Sequence, residues 1–349
     1  EDHVCALRYF SLGGFMEQIT VKPGDSGQRL DKYLGKYLKE APKSFLYKMM
    51  RKKNITLNGK KAQGNEILKD HDEIRLFLAV ETIEKFRGSR KEERVHGILD
   101  IPYEDEQVLF VNKPAGMLSQ KASREDVSLV EYIAGYLQEK EGEDRGDTFR
   151  PGICNRLDRN TSGLVAAGKT VKGLQALSEC FRERTMDKYY LALVGGRVKE
   201  PAYIKGFLKK DEKKNQVRIW EKEVPGSLPI ETRYKPLEIS KRGDTLLLVE
   251  LLTGRSHQIR SHLAATGHPV VGDRKYGEKK INARYEEKYG VQSQLLHAWK
   301  LCFPKEEGTL KGLSGRTVTA RPPELFQKVL RGEGFSEKLC RENKGDTES

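Results

Sequence analysis

The alternation of apolar and polar positions predicts a small module near the start of the chain. Residues 30–38 carry apolar side chains at helical spacing, which form one stripe along a helix. A proline follows, and Ser44 is predicted to cap a second helix. Asn58 and Gly59 then predict a tight turn, and residues 74–78 alternate as a half-buried strand. The pattern therefore indicates two short helices followed by a hairpin.

The rest of the chain mixes apolar runs that predict strands with amphipathic stretches that predict helices. Ser128 and Glu131 form a capping box at the start of one helix. The strands and helices interleave irregularly, without a repeating βαβ spacing, which favours an α+β fold with a mixed, mostly antiparallel sheet. Strands are predicted over residues 108–111, 189–194, 246–252 and 295–303, and further helices over residues 171–181 and 256–266.

Length and charge patterning divide the chain into five segments. At 349 residues it is too long for one small core. Residues 1–16 precede the module without the pattern of a signal peptide, so a non-native or disordered leader is expected there. Residues 17–83 form the module, and residues 84–97 are so charged that a linker is expected. Residues 98–335 form a larger domain, and residues 336–349 a polar tail.

Composition adds a preference for a polyanionic partner. The net charge is +13, and charged residues make up 33% of the chain, which favours nucleic acid over neutral ligands. No apolar run is long enough to span a membrane. The five cysteines are scattered without paired spacing, which argues against a disulfide framework or a structural zinc site and favours the cytoplasm.

Two motifs point to chemistry that their surroundings do not favour. Residues 163–170 match the letters of a phosphate-binding loop, but the preceding stretch is polar and the Leu-Val-Ala-Ala middle predicts a strand. A nucleotide triphosphatase is therefore the weaker alternative. His257 and His262 lie five residues apart, whereas a helical metal pair needs four. No metal site is expected.

The N-terminal module resembles the RNA-binding domain shared by a small-subunit ribosomal protein and tyrosyl-tRNA synthetase. The likeness covers about residues 28–80, and residues 28–62 hold eleven lysines and arginines against two acids. A solvated basic face is the plainer interpretation. The resemblance implies that the basic second helix faces RNA phosphate. Its candidate contacts are Lys43, Lys48, Arg51, Lys52 and Lys53.

The larger domain resembles the RluA-type pseudouridine synthases over about residues 100–330, and within them the RluC-like enzymes of large-subunit ribosomal RNA. Several separate motifs agree in order and spacing. They are Arg156-Leu157-Asp158, Lys188-Tyr189-Tyr190, Thr253 to Arg260, Asn112 to Met117, Gly267 to Asp273 with Tyr276-Gly277, and Leu296-His297-Ala298.

The resemblance implies isomerisation of uridine to pseudouridine without a cofactor. It assigns the nucleophilic carboxylate to Asp158, with Arg260 as its ion-pair partner. Tyr190 would stack on the uracil and help to remove the C5 proton, while Tyr189 would lie in the core on the opposite side of the strand. Arg156 would contact RNA.

The chain departs from the family pattern at two positions, and one other class of function stays open. Asn155 stands where family members usually have histidine, and Asn160 where they have aspartate. Neither carries the nucleophile, so activity is expected to survive. The substrate is expected to be large-subunit ribosomal RNA and the enzyme a monomer. The alternative is a ribosome-assembly factor that binds RNA without chemistry.

Overall fold

The computed structural model describes residues 8–11, 14–87, 95–123, 125–142, 148–211 and 216–336. The N-terminal module is a five-stranded sheet in the order β1-β2-β5-β3-β4 with three α-helices and a short 3-10 helix at Pro23–Asp25. Its elements are β1 (Arg8–Ser11), β2 (Gly14–Thr20), α1 (Leu30–Tyr37), α2 (Lys43–Arg51), β3 (Ile55–Leu57), β4 (Lys60–Lys61), β5 (Glu73–Leu76) and α3 (Val80–Arg87).

The core of the module follows the predicted apolar stripes. Leu30 and Leu34 of α1 are fully buried, and they belong to one cluster with Met50 of α2 and with Ile55 and Ile74 of the sheet. Burial of these side chains supplies most of the stabilisation, since each contributes about 1.5–3 kcal/mol. The polar positions of α2 remain on its outer side.

Three expectations for this module are wrong. Part of the expected leader is strand, because β1 pairs with β2 and β2 completes the free edge of β5. Ser44 is not a cap, because α2 begins at Lys43 with Pro42 before it. The expected linker begins inside α3, where Arg87 turns back to form an ion pair with the buried Glu17. Residues 88–94 of that linker lie outside the described residues.

The larger domain is built on an eleven-stranded sheet in the order β12-β11-β13-β14-β10-β15-β9-β7-β6, with β8 and β16 at its side. The predicted mostly antiparallel sheet is confirmed, with β9 and β15 paired in parallel. The strands are β6 (Tyr103–Glu104), β7 (Val108–Lys113), β8 (Gly152–Ile153), β9 (Ser162–Gly168), β10 (Asp187–Val194), β11 (Ala202–Asp211), β12 (Gln216–Trp220), β13 (Leu228–Ile239), β14 (Thr245–Leu251), β15 (Leu296–Cys302) and β16 (Thr317–Thr319).

Helices cover this sheet in separate groups. α4 and α6 pack on the side of Tyr190 and Val249, while α7 and α8 pack on the side of Leu191 and Leu193. The predicted capping box of Ser128 and Glu131 starts α4. The helices are α4 (Leu129–Glu141), α5 (Val171–Glu183), α6 (Gln258–Ala265), α7 (Lys279–Tyr289) and α8 (Glu324–Glu333).

One close backbone approach fixes the strand that follows Asp158. Gly163 of β9 lies beside Ala298 of β15, and its φ is +115°. A Cβ at this position would lie 2.2 Å from the carbonyl oxygen of Ala298. Only glycine tolerates both the contact and the backbone angle.

The two domains contact each other through Asp25. One of its carboxylate oxygens accepts hydrogen bonds from the backbone N–H of Thr148 at 3.1 Å, from the Thr148 hydroxyl at 2.6 Å and from the backbone N–H of Phe149 at 2.8 Å. The Gln28 amide also donates to the Thr148 hydroxyl at 3.0 Å. Asp25 is buried, so these bonds satisfy a charge removed from water.

Candidate active site

Asp158 lies on a tight turn between β8 and β9. The backbone N–H of Thr161 donates to the Asp158 carbonyl at 3.0 Å and closes the turn. The preceding residue, Leu157, is buried, and its N–H and carbonyl both bond to the hydroxyl of Ser119, at 3.0 Å and 2.8 Å. The turn is therefore fixed from both sides, while the Asp158 side chain remains 25% exposed.

Arg260 of α6 joins two carboxylates. Its Nη1 donates to Oδ2 of Asp158 at 2.7 Å, and its Nε and Nη2 hold both oxygens of Asp273 at 2.6 Å and 2.9 Å. Burial alone would lower the pKa of Arg260, but the two carboxylates raise it above its usual value. The guanidinium is thus a fixed positive charge beside the Asp158 carboxylate.

Asp273 in turn is fully buried. Burial alone would raise the pKa of Asp273, but Arg260 and the backbone N–H groups of Lys275 and Tyr276 lower it. The Arg260 guanidinium lies over the Tyr276 ring, with its Cζ 5.3 Å from the ring centroid. Nδ1 of His257 and the Tyr276 hydroxyl share a hydrogen bond of 2.9 Å. These contacts hold Arg260 with Nη1 toward Asp158.

Lys113 supports the turn that carries Asp158 through hydrogen bonds from its side chain. It ends the apolar strand β7, is completely buried, and donates to the carbonyl oxygens of Pro114, Met117 and Arg159 at 2.9–3.0 Å. Burial lowers the pKa of Lys113 to about 8, and the negative charge of Asp158 opposes that shift. The lysine therefore clamps the loop after β7 to the residue next to Asp158.

Tyr190 lines the same cleft as Asp158 and is 8% exposed. Burial, followed by the charge of Asp158, raises the pKa of its hydroxyl well above the usual value, so the group is a neutral phenol. The expected core position of Tyr189 is wrong. A β-bulge in the pairing with β15 lies between the two tyrosines, and Tyr189 is half-buried at the cleft wall.

The cleft that contains Asp158, hereafter the Asp158 cleft, has a volume of about 960 Å³. Nine lysine and arginine side chains line it, and among its described lining residues Asp158 is the one acid. Such a surface attracts phosphate. The cations include Arg156, Arg182, Arg184, Lys188, Lys210 and Arg255.

The candidate RNA contacts predicted from the sequence are exposed. Arg156 stands at the rim of the Asp158 cleft, two residues before the carboxylate. Lys43, Lys48 and Arg51 of α2, with Lys52 and Lys53 just after it, all face solvent on the module. The structure places them in a separate basic surface from the cleft.

The two departures from the family pattern have different positions. The Asn155 amide donates to the carbonyl of Leu164 at 3.0 Å, and its oxygen accepts from the N–H of Ala166 at 2.8 Å. It thereby bonds to the backbone of β9. Asn160 is exposed. Neither side chain touches Asp158 or Arg260 in these contacts.

The phosphate-loop interpretation is wrong. The residues that spell the loop form β9, which is buried along its whole length. Nζ of Lys169 is paired with Glu104 at 2.7 Å, and the hydroxyl of Thr170 caps α5. No free loop of N–H groups remains to bind phosphate in this described segment.

Neither a metal cluster nor a membrane span is found in the described part of the chain. No group of three His, Cys, Asp or Glu side chains there could hold a metal ion. His262 bonds to Thr232 instead, and burial lowers the pKa of its imidazole to about 4. None of the described helices combines the length and the apolar character that crossing a bilayer requires.

Three residues of the site were not singled out from the sequence. Asp273, Lys113 and His257 all lie within motifs of the family resemblance, yet none was assigned a role. Lys113 could have been noticed because it follows the apolar run of residues 108–111 at the end of a strand. Asp273 follows the apolar pair Val270 and Val271 in a similar way. A charged residue at the end of a buried strand needs a partner.

Comparison with known proteins places this geometry in a family. The model of RNA pseudouridylate synthase matches residues 107–265. "Ribosomal large subunit pseudouridine synthase C" of Vibrio vulnificus is 33% identical over 321 residues, which is 90% of this chain and 95% of that protein. The Escherichia coli O6:H1 protein of the same name is 32% identical over 82% of this chain and 88% of its own length.

A solved structure shows the same fold. Human RNA Pseudouridylate Synthase Domain Containing 4 aligns with a TM-score of 0.54 and 20% identity, over 66% of this chain and 91% of its own. Sequence likeness along nearly the whole length and a shared fold agree with the geometry around Asp158, and the chain belongs to the RNA pseudouridine synthase family.

Proposed function

We propose that this enzyme isomerises specific uridines of large-subunit ribosomal RNA to pseudouridine, with Asp158 as the nucleophile. The observation that carries the proposal is the 2.7 Å ion pair between Asp158 and Arg260 inside a cleft lined by cations. The curated relatives are named for the large ribosomal subunit, which supports ribosomal rather than transfer RNA as the substrate.

The reaction rearranges one nucleotide without adding or removing atoms overall. The N1–C1′ bond of uridine breaks, the uracil turns, and C5 bonds to C1′. The proton on C5 is then lost and N1 gains one. Asp158 either attacks the sugar or assists a glycal path, and both routes start from its ionised carboxylate. Arg260 places a positive charge beside that carboxylate, and its own orientation is set by Asp273.

Tyr190 and Asp158 both line the Asp158 cleft. The raised pKa of Tyr190 means that a phenolate is scarce at neutral pH. This favours stacking on the uracil as its role. Removal of the C5 proton by Tyr190 would require the hydroxyl to give up its own proton first, which the buried position opposes.

The target base has to leave its stack to reach Asp158, at a cost of a few kcal/mol when it is paired. Phosphate contacts by the exposed cations offset this cost. Arg156 at the rim is placed to contact RNA beside the extracted nucleotide. The basic surface of α2, formed by residues 43–53, offers a second set of phosphate contacts.

We further propose that the enzyme works as a monomer in the cytoplasm. The described cysteines Cys154, Cys180 and Cys302 are free, as is usual in a reducing compartment. Asp158, Tyr190 and Arg260 come together in one cleft within one chain, which supports this proposal.

Asp158→Asn tests the assignment. The substitution keeps the size and one acceptor oxygen for Arg260 but removes the charge. We expect release of tritium from [5-³H]uridine-labelled ribosomal RNA to stop, while binding of that RNA remains within about twofold of the wild type. Asp70→Asn, at an exposed position of the module, is the matched control.

Substantial turnover by Asp158→Asn would overturn the nucleophile assignment. Absence of turnover by the wild-type enzyme together with tight binding would instead favour the RNA-binding assembly factor. Mapping pseudouridines in ribosomal RNA from cells with and without the protein would identify the modified positions.

A further inference from the structure

A second cavity lies beside the Asp158 cleft and has no part in the chemistry above. It has a volume of about 700 Å³ and is formed by strands β10, β11, β13, β14 and β15. We call it the Tyr203 cavity. Volumes of this size accommodate a nucleotide-sized ligand. Its side chains with π-faces are Tyr189, Tyr203, Tyr234 and Trp299, and its cations are Arg233, Lys235 and Lys300.

The floor of the Tyr203 cavity is a row of side chains that crosses five strands. The sheet register pairs Lys300 with Tyr189, Tyr189 with Glu250, Glu250 with Arg233, and Arg233 with Tyr203. Residues paired directly across strands lie on the same face of a sheet. The row therefore places two aromatic rings, Tyr189 and Tyr203, on one surface with the charged residues Lys300, Glu250 and Arg233.

This row is accessible to a ligand. Tyr203 is 45% exposed, and it lies on a part of β11 that pairs with β13 but extends beyond the pairing with β12. The Arg233 guanidinium lies over the Tyr203 ring, 4.9 Å from its centroid, and 52% of the Arg233 side chain is exposed. Lys205 approaches the same ring at 4.7 Å. An aromatic face flanked by cations is typical of surfaces that bind single-stranded nucleic acid.

The Tyr203 cavity and the Asp158 cleft have two lining residues in common. Tyr189 and Lys300 line both. The adjacent residue Tyr190 lines the cleft but not the cavity. A strand of RNA that leaves the cleft at Tyr189, near the start of β10, would meet the cavity on the other face of that strand. Glu250 is the one acid among the described residues that line the cavity, and it is paired with Arg233 at 3.4 Å.

We propose that the Tyr203 cavity is a second nucleotide site, which stacks an unpaired base of the substrate RNA outside the target uridine and holds its phosphate with Arg233, Lys235 or Lys300. This rests on RNA being the substrate, as proposed above. The site contributes binding but no reacting group, since Asp158 lies in the other cavity. It extends recognition from the flipped uridine to an unpaired neighbour.

Two single substitutions test the site in the full-length enzyme. Tyr203→Ala removes a stacking face, and Arg233→Ala removes a cation, both at exposed positions. The substrate is ribosomal RNA that contains the target with its natural single-stranded flank. We expect KM to rise about tenfold for each variant, as loss of one base–aromatic stack predicts, with kcat at the wild-type level. Lys328→Ala on α8, an exposed cation outside both cavities, should change neither constant.

Ultraviolet cross-linking gives an independent readout. RNA that carries 4-thiouridine in the flank should cross-link to the peptide with Tyr203, also in the Asp158→Asn background where no chemistry occurs. Wild-type KM in both cavity variants, together with no cross-link to that peptide, would overturn the second site while leaving pseudouridine formation by the wild type intact. A change in sedimentation of the variants, with KM unchanged, would assign the cavity to contact between two copies of the chain and would equally overturn the proposal.

Discussion

Arg260 holds Asp273 with two nitrogens and Asp158 with the third. The shared guanidinium means that the orientation of one carboxylate depends on the other, 115 positions apart in sequence. Arg260→Lys would keep a charge but lose the planar fork that reaches both groups. We expect kcat to fall at least about a hundredfold with a small change in RNA affinity, measured by single-turnover pseudouridine formation. An Arg260→Lys enzyme with kcat near the wild-type value would show that charge alone is sufficient.

Asp273→Asn separates the positioning of Arg260 from its charge. The asparagine oxygen can still accept from the N–H groups of Lys275 and Tyr276, which bond to Asp273 at 2.8 Å and 3.1 Å. The ion pair between Asp273 and Arg260 is lost. We expect kcat to fall about tenfold to a hundredfold, because misplacement of a catalytic group reduces the rate by such factors. KM should stay near the wild-type value. A rise in KM with unchanged kcat would place Asp273 in RNA binding instead.

Lys113→Met tests the clamp below the turn. Methionine fills a similar volume, but the carbonyls of Pro114, Met117 and Arg159 are deprived of their shared donor. We expect the free energy of unfolding to fall by about 1–3 kcal/mol, since buried acceptors are left without a partner. The activity should fall as well, because the residue next to Asp158 is released. Lys311→Met, on an exposed side chain, is the control in the same denaturant titration.

His297 predicts a specific acid sensitivity. It is fully buried, its Nε2–H donates to the carbonyl of Ala320 at 2.9 Å, and its Nδ1 accepts from the hydroxyl of Ser162 at 2.9 Å. Burial lowers the pKa of His297 from 6.5 to about 4. In the unfolded chain His297 is protonated below about pH 6.5. In the folded chain it stays neutral until the pH falls to about 4. The contribution of neutral His297 to the free energy of unfolding is therefore fully present above pH 6.5 and is lost as the pH falls toward 4.

Between about pH 7 and pH 5 this residue should remove about 2 kcal/mol of unfolding free energy, since one pKa unit corresponds to about 1.4 kcal/mol. His297→Gln can still donate to Ala320 and should lessen the decline by that amount in urea titrations at the two pH values. His71→Gln, on the surface of the module, serves as the control. An identical pH dependence in His297→Gln and the wild type would contradict the assignment.

The basic surface of α2 should appear in the salt dependence of binding. Lys48 and Lys52 are exposed, and removal of one phosphate contact reduces the slope of log K against log salt concentration by about 0.7–0.9. The double variant Lys48→Ala, Lys52→Ala should weaken RNA binding and lower the slope by about 1.5. The control double variant Lys305→Ala, Lys328→Ala removes the same charge elsewhere. Equal slopes in all three proteins would show that α2 does not contact the RNA.

Local patterns predicted the elements better than they predicted the contacts between them. The stripe on α1 and the capping box of α4 could be recognised because each depends on residues within a few positions. The charged stretch at the end of α3 was misjudged, because Arg87 is stabilised by Glu17, which lies 70 positions away. The same limit applies to residues 8–11, whose strand exists through pairing with β2.

The candidate site shows the same division. Asp158, Tyr190 and Arg260 were found through family resemblance, and the structure brings them to one cleft. The burial of Lys113 and the double ion pair of Arg260 could not be derived from spacing, because they depend on three-dimensional packing of the sheet against α6. The Tyr203 cavity depends on the register of five strands, which no local pattern specifies.

The parallel pairing of β9 with β15 sets the order in which the enzyme becomes complete during synthesis. Ser162 and Gly163, just after Asp158, take their neighbours from His297 and Ala298, near the end of the larger domain. A chain emerging from the ribosome therefore exposes Asp158 well before the strand that fixes its turn exists. Arg260 also arrives late, 102 residues after the carboxylate it holds. Asp158 is thus synthesised early in the larger domain, but its position in the folded enzyme is fixed only after residues 260 and 297–298 have been synthesised.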